Sequence, residues 1–362
     1  MAEIKTFNGL AVSSKFAICG LPIRLDSYKT CSFGCGYCFS NGRKIMEFEK
    51  VLQVANVASI AKRLKRIFVD NEVDKSNFLD TLISKNITWH CGGMSDPFQP
   101  IENELHVTKK LVDLTKQYGI TILFSTKADT FYDCKMDPNL HTFQLSVTNV
   151  HDRRDIEPNV PLIKDRIRFF NELKESGFKV GIRVQPFIPK ISDMDIFETF
   201  KNADHFTIEG IKVVPQNKEQ KEFIKNLGLP MDDFTQMGLL NLKPHIRKSL
   251  YKPIIEWMEE NHKSYSISDN DLRSLSNSKC CCGDALVKNA TDFNTTAMIM
   301  DYGTDYALEN VMDRVCELGC QDCVCKSLFT SNRTNGCSTV QEFYKERFHK
   351  KSSPFSPEFQ NK

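Results

Sequence analysis

Thr30-Cys-Ser-Phe-Gly-Cys-Gly-Tyr-Cys-Phe39 carries three cysteines, Cys31, Cys35 and Cys38, at C-x3-C-x2-C spacing. Three closely spaced thiolates hold three irons of a 4Fe–4S cube. No fourth cysteine follows at ferredoxin spacing, so one iron stays open to a further ligand. Gly34 and Gly36 suit a loop that folds tightly around a bulky group, because glycine accepts positive φ. Zinc with a distant fourth partner is a second reading of the three thiols, and packing as buried residues is a third. Tyr37 ahead of Cys38, and a strand-like run before the loop, favour the cluster.

Working outward, short apolar runs alternate with helix-like stretches. The pattern predicts strands over Pro22–Tyr28, Ile87–Gly92, Thr121–Lys127, Phe143–Thr148, Lys179–Gln185 and His205–Val214. Between them it predicts helices over Glu47–Phe68, Glu104–Tyr118, Ile163–Ser176, Asp193–Asn202 and Lys218–Leu227. Strand–helix alternation implies a parallel sheet. In barrels of this type the chemistry sits at the C-terminal ends of the strands. The cysteine loop follows the first strand, where that rule places a site.

The other strand ends carry polar groups. The second runs Ile87-Thr-Trp-His-Cys-Gly-Gly-Met-Ser-Asp-Pro-Phe-Gln-Pro-Ile-Glu102. Gly92 and Gly93 free the backbone for close approach to a ligand, and Ser95 and Asp96 offer acceptors for an ammonium group. The third ends Phe124-Ser-Thr-Lys-Ala128, and Lys127 there can pair with a carboxylate. The fourth and fifth bring Ser146, Arg183 and Gln185, which share a face if each strand alternates regularly. An ordinary turn at the glycines, and solvated charges at Lys127 and Arg183, are the plainer alternatives.

The cysteine loop resembles that of the radical S-adenosylmethionine (SAM) enzymes. The segment Ser95-Asp-Pro-Phe-Gln-Pro-Ile-Glu102, with Ser125-Thr-Lys127 and Arg183-Val-Gln-Pro186, resembles the spore photoproduct lyase-like branch of that family. The resemblance covers roughly residues 20–215. It implies an α/β fold, a partial (β/α)6 TIM-type barrel, with Cys31, Cys35 and Cys38 on a 4Fe–4S cluster whose open iron is chelated by SAM. Gly92, Gly93, Ser95, Asp96 and Lys127 would then receive the methionine end of SAM. Ser146 and Arg183 would also touch it, and Tyr37 would meet the adenine side. The reduced cluster cleaves SAM to a 5′-deoxyadenosyl radical that takes hydrogen from substrate. A flavodoxin- or ferredoxin-like electron donor is implied, and a nucleotide or nucleic-acid substrate. Lyases of the branch use a cysteine hydrogen donor near the second strand end. Cys91 is the candidate here, although its offset from Ser95-Asp96 departs from the pattern.

The chain has 362 residues, net charge +2 and 41% hydrophobic residues, enough for a large core and too neutral to announce a basic nucleic-acid surface. Fourteen cysteines without an apolar leader in the first residues read as metal or catalysis in a reducing, cytoplasmic setting. No apolar run reaches membrane-spanning length. Gly228-Leu-Pro230 marks an expected boundary between a barrel over residues 1–228 and a C-terminal, mainly helical, cysteine-rich domain over 229–362. The latter holds Cys280, Cys281, Cys282, Cys316, Cys320, Cys323, Cys325 and Cys337. Cys316-x3-Cys320-x2-Cys323 repeats the first motif's spacing. An auxiliary Fe–S cluster, or else a structural zinc, is expected on these residues. Arg153 and Arg154, on the loop after the fourth strand, are the expected phosphate contacts for a nucleic-acid substrate. Two other functions compete: a peptide- or protein-modifying radical SAM enzyme, and a zinc-bound nucleic-acid-binding module without catalysis.

Overall fold

The structure is a computed structural model. It describes residues 4–13, 19–40, 52–237, 239–269, 271–292, 295–303 and 305–317, together with 338, 339 and 342. Cys320, Cys323, Cys325 and Cys337 lie outside the described residues, as does the side chain of Cys316 at the end of the helix Leu308–Glu317.

Seven strands form the parallel sheet: β1 (Ile23–Leu25), β2 (Trp89–Cys91), β3 (Ile122–Thr126), β4 (His141–Ser146), β5 (Val180–Phe187), β6 (His205–Gly210) and β7 (Tyr265–Ile267). Each pairs with the next in chain order. Laying every strand beside its predecessor, with right-handed crossovers, puts the helices on one face and leaves the other as the barrel interior. The strand Leu10–Val12 pairs antiparallel with β1 and covers that edge. The barrel is therefore partial, as the resemblance implies, around the parallel sheet that the alternation of segments predicts.

Six of the strands are the expected six, with shifted ends: the first three and the sixth are shorter, and β5 runs on to Phe187. The seventh follows the expected boundary. Gly228 does sit at a turn, with φ +66°, and the parallel sheet continues beyond it through β7. The predicted helix over Glu47–Phe68 is in part a strand: Leu52–Ala55 pairs in parallel with Ile4–Phe7, and the helix spans Val57–Phe68. Asn56 sets that start, its side chain accepting from Ser59 N at 3.0 Å. The predicted helix Glu104–Tyr118 breaks at His106, at φ +50°. Glu102, fully buried, caps the second piece (Val107–Lys116) by accepting from Thr108 N and Lys109 N at 2.9 Å each.

The two faces of the sheet differ in chemistry. Outward, Phe124, Phe143 and Phe178 pack ring against ring, and Phe169 of the helix Ile163–Glu175 meets Phe143. Inward, a polar ladder crosses the strands. His90 Nε2 meets Ser125 Oγ at 2.8 Å, and Ser125 Oγ reaches Gln144 Oε1 at 3.3 Å. Gln144 then accepts from Arg183 at 3.1 Å and donates to Thr207 at 3.0 Å. A polar interior held by its own hydrogen bonds is a barrel prepared for a ligand rather than for apolar filling.

Candidate active site

A cavity of about 1110 Å³, counting its mouth, opens at the C-terminal ends of the strands. Cys31, Cys35 and Cys38 lie on one wall. Gly92, Gly93, Ser95, Asp96, Ser125 and Lys127 come from the ends of β2 and β3, and Ser146 and Arg183 from β4 and β5. Every residue that the resemblance assigns to SAM or to the cluster thus reaches one space, Tyr37 included.

The cysteine loop is held from outside itself. The Gln99 amide clamps it, accepting from Ser32 N and donating to Thr30 O, both at 2.8 Å. Asn159 Nδ2 donates to Ser32 O at 3.0 Å, and Gln220 Nε2 to Cys38 O at 2.7 Å. Gly34 adopts φ +67°, which a side chain would disfavour. Burial pushes the Cys31 and Cys35 thiols up to about 12, so a bound metal would displace their protons. Among the described residues no fourth cysteine lines the cavity. The donor set therefore fits a cluster with one open iron.

Ser95 and Asp96 face the cavity but are already engaged. Ser95 Oγ donates to Tyr28 O. Asp96 accepts from Phe98 N at 3.0 Å, Thr126 Oγ1 at 2.7 Å and Lys127 N at 2.6 Å. Burial raises the Asp96 carboxyl, and these bonds oppose the shift. Its work is to pin the end of β3 to the loop after β2.

Lys127 has a partner that no motif announced. Its Nζ lies 3.0 Å from Glu157 Oε1 and 5.4 Å from the Tyr37 ring centroid. Glu157 also accepts from the Tyr37 hydroxyl, which meets Thr148 Oγ1 at 3.0 Å. Burial pushes the Glu157 carboxyl up, but Lys127, Arg166 and the Tyr37 hydroxyl outweigh it and hold the group below the usual glutamate value. A Tyr–Glu–Lys unit thus fixes the ammonium at the cavity floor. On the far wall, Glu209 and Lys212 form a second buried ion pair, beside Arg183 and Gln185.

Two expectations are not met. Cys91 is fully buried and absent from the cavity wall; its side chain points outward to Ser27, away from the interior that His90 faces. Strand alternation is the reason, since neighbours on a strand face opposite sides. Arg153 is neutralised by Asp155 at 2.6 Å. Arg154 Nη1 donates to Pro158 O at 3.3 Å and to Val160 O, bracing its own loop.

No family model matches this chain. An uncharacterised protein of Methanocaldococcus jannaschii is 27% identical over 165 residues, 42% of this chain, and the match spans 62% of that relative's length. Among solved structures, a cysteine-to-alanine variant of spore photoproduct lyase aligns with TM-score 0.55 and 14% identity, over 73% of this chain and 80% of that one. A double variant of the same enzyme, with bound AdoMet (SAM) and a dinucleoside spore photoproduct, aligns with TM-score 0.51 and 15% identity, over 72% and 81%. These likenesses establish the fold: a partial α/β barrel like that of spore photoproduct lyase.

Proposed function

We propose that this chain, with its spore photoproduct lyase-like barrel, is a radical SAM enzyme acting on a nucleotide or nucleic acid. The observation that carries the reading is the convergence of Cys31, Cys35 and Cys38 with Gly92, Gly93 and Lys127 around one cavity. A 4Fe–4S cluster on the three thiolates would supply the electron that cleaves the SAM sulfonium to a 5′-deoxyadenosyl radical. The chain's own residues bind, orient and shield. Gly92 and Gly93 let the backbone approach the methionine end. Lys127, held by Glu157, offers its ammonium to the SAM carboxylate. Tyr37 presents its ring to the cavity while its hydroxyl is tied down. The opposite wall, with Arg183, Gln185, Glu209 and Lys212, is the surface for substrate. It offers donors and acceptors of both charges, suited to a hydrogen-bonding base and its phosphate.

The dinucleoside ligand of the similar lyase structure supports the substrate class. Cys91 lies off the cavity, so hydrogen return in the manner of the lyases would need another donor. A flavodoxin- or ferredoxin-like protein is the proposed source of electrons. Anaerobic reconstitution with iron and sulfide, followed by measurement of 5′-deoxyadenosine, tests the chemistry. Deuterium transfer from labelled oligonucleotides or peptides into that product tests the substrate. Labelling from a peptide alone would replace the nucleotide reading with a peptide-modifying one. No SAM cleavage by iron-loaded protein would overturn both.

A further inference from the structure

Gln99, Gln144 and Gln220 are buried, and each uses both ends of its amide. Gln144 accepts from Arg183 and donates to Thr207. Gln99 accepts from Ser32 N and donates to Thr30 O. Gln220 accepts from Val214 N at 2.8 Å and donates to Cys38 O at 2.7 Å. Gln185 departs from this pattern. Its Oε1 is buried without a hydrogen-bond partner among the described residues, and the residue lines the cavity. Buried polar groups are hydrogen-bonded with few exceptions, so an unmet acceptor at a ligand cavity points to a ligand.

Strand pairing accounts for the departure. Val184 lies opposite Ile208 and Phe187 opposite Gly210, so Gln185 and Pro186 together face Glu209. Two residues against one make a β-bulge, a device that re-aims side chains beside active sites. Pro186 has no N–H with which to continue the ladder. The neighbouring strand is held from behind. Gly210 N donates at 3.0 Å to Asp269, which follows β7. Asp269 also accepts from the Tyr251 hydroxyl at 2.6 Å and pairs with the fully buried Arg247 at 3.1 Å. Both side chains come from the helix Pro244–Glu260, and a Cβ on Gly210 would stand 2.9 Å from the Tyr251 hydroxyl oxygen. The bulge is thus fixed in place.

Two residues before Gln185 on the same strand stands Arg183. Among the described residues, three basic side chains line the cavity. Lys127 is paired with Glu157, and Lys212 with Glu209. Arg183 meets the neutral Gln144 amide at 3.1 Å and, among the described residues, no carboxylate. Strand geometry sets Arg183 and Gln185 about 7 Å apart on one face. A mononucleotide spans such a distance from its phosphate to the edge of its base.

We propose, taking the cavity as that of a nucleotide-directed enzyme, that Arg183 and Gln185 together determine its substrate specificity. Arg183 takes the phosphate of one nucleotide unit. The Gln185 carboxamide reads a donor beside an acceptor on the base, as glutamine does in bidentate base recognition. Glu209 and Lys212, closed on each other, frame the pair.

The test uses the full chain with its cluster reconstituted and SAM present, without reductant, so that no turnover occurs. The four deoxynucleoside 5′-monophosphates and the matching phosphate-free nucleosides are the probes, and titration calorimetry gives their affinities. Arg183→Met should weaken the monophosphates about tenfold and the nucleosides by less than about twofold. Gln185→Leu should weaken both classes about tenfold and level the differences among the bases. Gln185→Glu keeps the side chain's shape. It should raise deoxycytidine monophosphate in the ranking, because a carboxylate accepts from the cytosine amino group. Monophosphates bound by both Arg183→Met and Gln185→Leu as tightly as by wild type overturn the pair while leaving the nucleotide reading in place. If those two variants lose both classes alike, the ranking under Gln185→Glu decides, and an unchanged order overturns the pair. Loss of SAM binding in Gln185→Leu would make Gln185 a cofactor contact and overturn its role as a base reader. Wild type that cleaves SAM on reduction, yet binds peptides and no nucleotide, removes the nucleotide reading and the pair with it.

Discussion

Gly92 and Gly93 look alike in the sequence, and the structure separates them. At Gly92 φ is +94°, and a Cβ would stand 2.2 Å from Ser125 O and 3.0 Å from Pro97 Cδ. The nearer obstacle is backbone of β3, which cannot swing aside as a side chain would. Left-handed φ costs a non-glycine residue about 1–2 kcal/mol, and overpacking adds roughly 1–3 kcal/mol. Gly92→Ala should therefore destabilise the fold by about 2–5 kcal/mol, a large share of typical domain stability. At Gly93 a Cβ meets only His90 Cε1, at 4.0 Å, and no positive φ is required. Gly93→Ala should leave stability within about 1 kcal/mol of wild type. Its methyl would instead project where the backbone meets ligand, weakening SAM binding about tenfold. Denaturant unfolding of the metal-free proteins under anaerobic reducing conditions gives the stabilities, and equilibrium dialysis of reconstituted protein gives SAM affinity. Gly92→Ala within 1 kcal/mol of wild type, or Gly93→Ala losing as much stability as Gly92→Ala, would refute the geometric argument.

Three further outcomes are expected. Cys35→Ala should lose the cavity's iron and, with it, 5′-deoxyadenosine formation; iron counting beside product analysis checks this, and wild-type turnover would contradict it. Glu157→Gln leaves the Lys127 ammonium without its buried counter-ion while keeping an acceptor for Tyr37, so unfolding free energy should fall by roughly 3 kcal/mol; a change below 1 kcal/mol would show the pair to be freely solvated. His141 is fully buried, and its Nδ1 accepts from Asp137 N at 2.9 Å. Burial first, then Lys116, lowers its pKa from 6.5 to about 4. The folded value lies below the unfolded one, so its contribution is full above pH 6.5 and is lost as pH falls towards 4. Over that window the loss reaches about 3 kcal/mol. His141→Gln should flatten the difference in stability between the two ends of the window; an unchanged slope would place the acid sensitivity elsewhere.

The parts of the site legible in the sequence are those whose signal is local. Cys31, Cys35 and Cys38 are held together by the chain itself, so their spacing already puts three thiols on one cavity wall. Gly92 and Lys127 were legible because strand ends gather at one mouth whatever the loops do. What escaped depends on partners far along the chain. Glu157 sits in a polar loop with no motif, and becomes the counter-ion of Lys127 only when β3 and β4 lie side by side. Ser95 and Asp96 read as ligands because their oxygens are visible in sequence, while the partners that occupy them, Tyr28 O for Ser95 and Thr126 with the Lys127 amide for Asp96, are set by the fold.

The same logic explains the missed seventh strand. Tyr265–Ile267 is three residues long and carries too little period-2 signal to announce itself; its edge position on β6 makes it a strand. Cys91 inverts the lesson. Its type and place suggested chemistry, yet its parity on β2 sends it to the apolar side, while His90, one residue earlier, faces the interior. Residue type limits what a side chain can do, and parity and pairing decide what it meets. Cys19, solitary in its stretch of sequence, follows the same rule: its neighbours in the fold are a triplet from the opposite end of the chain.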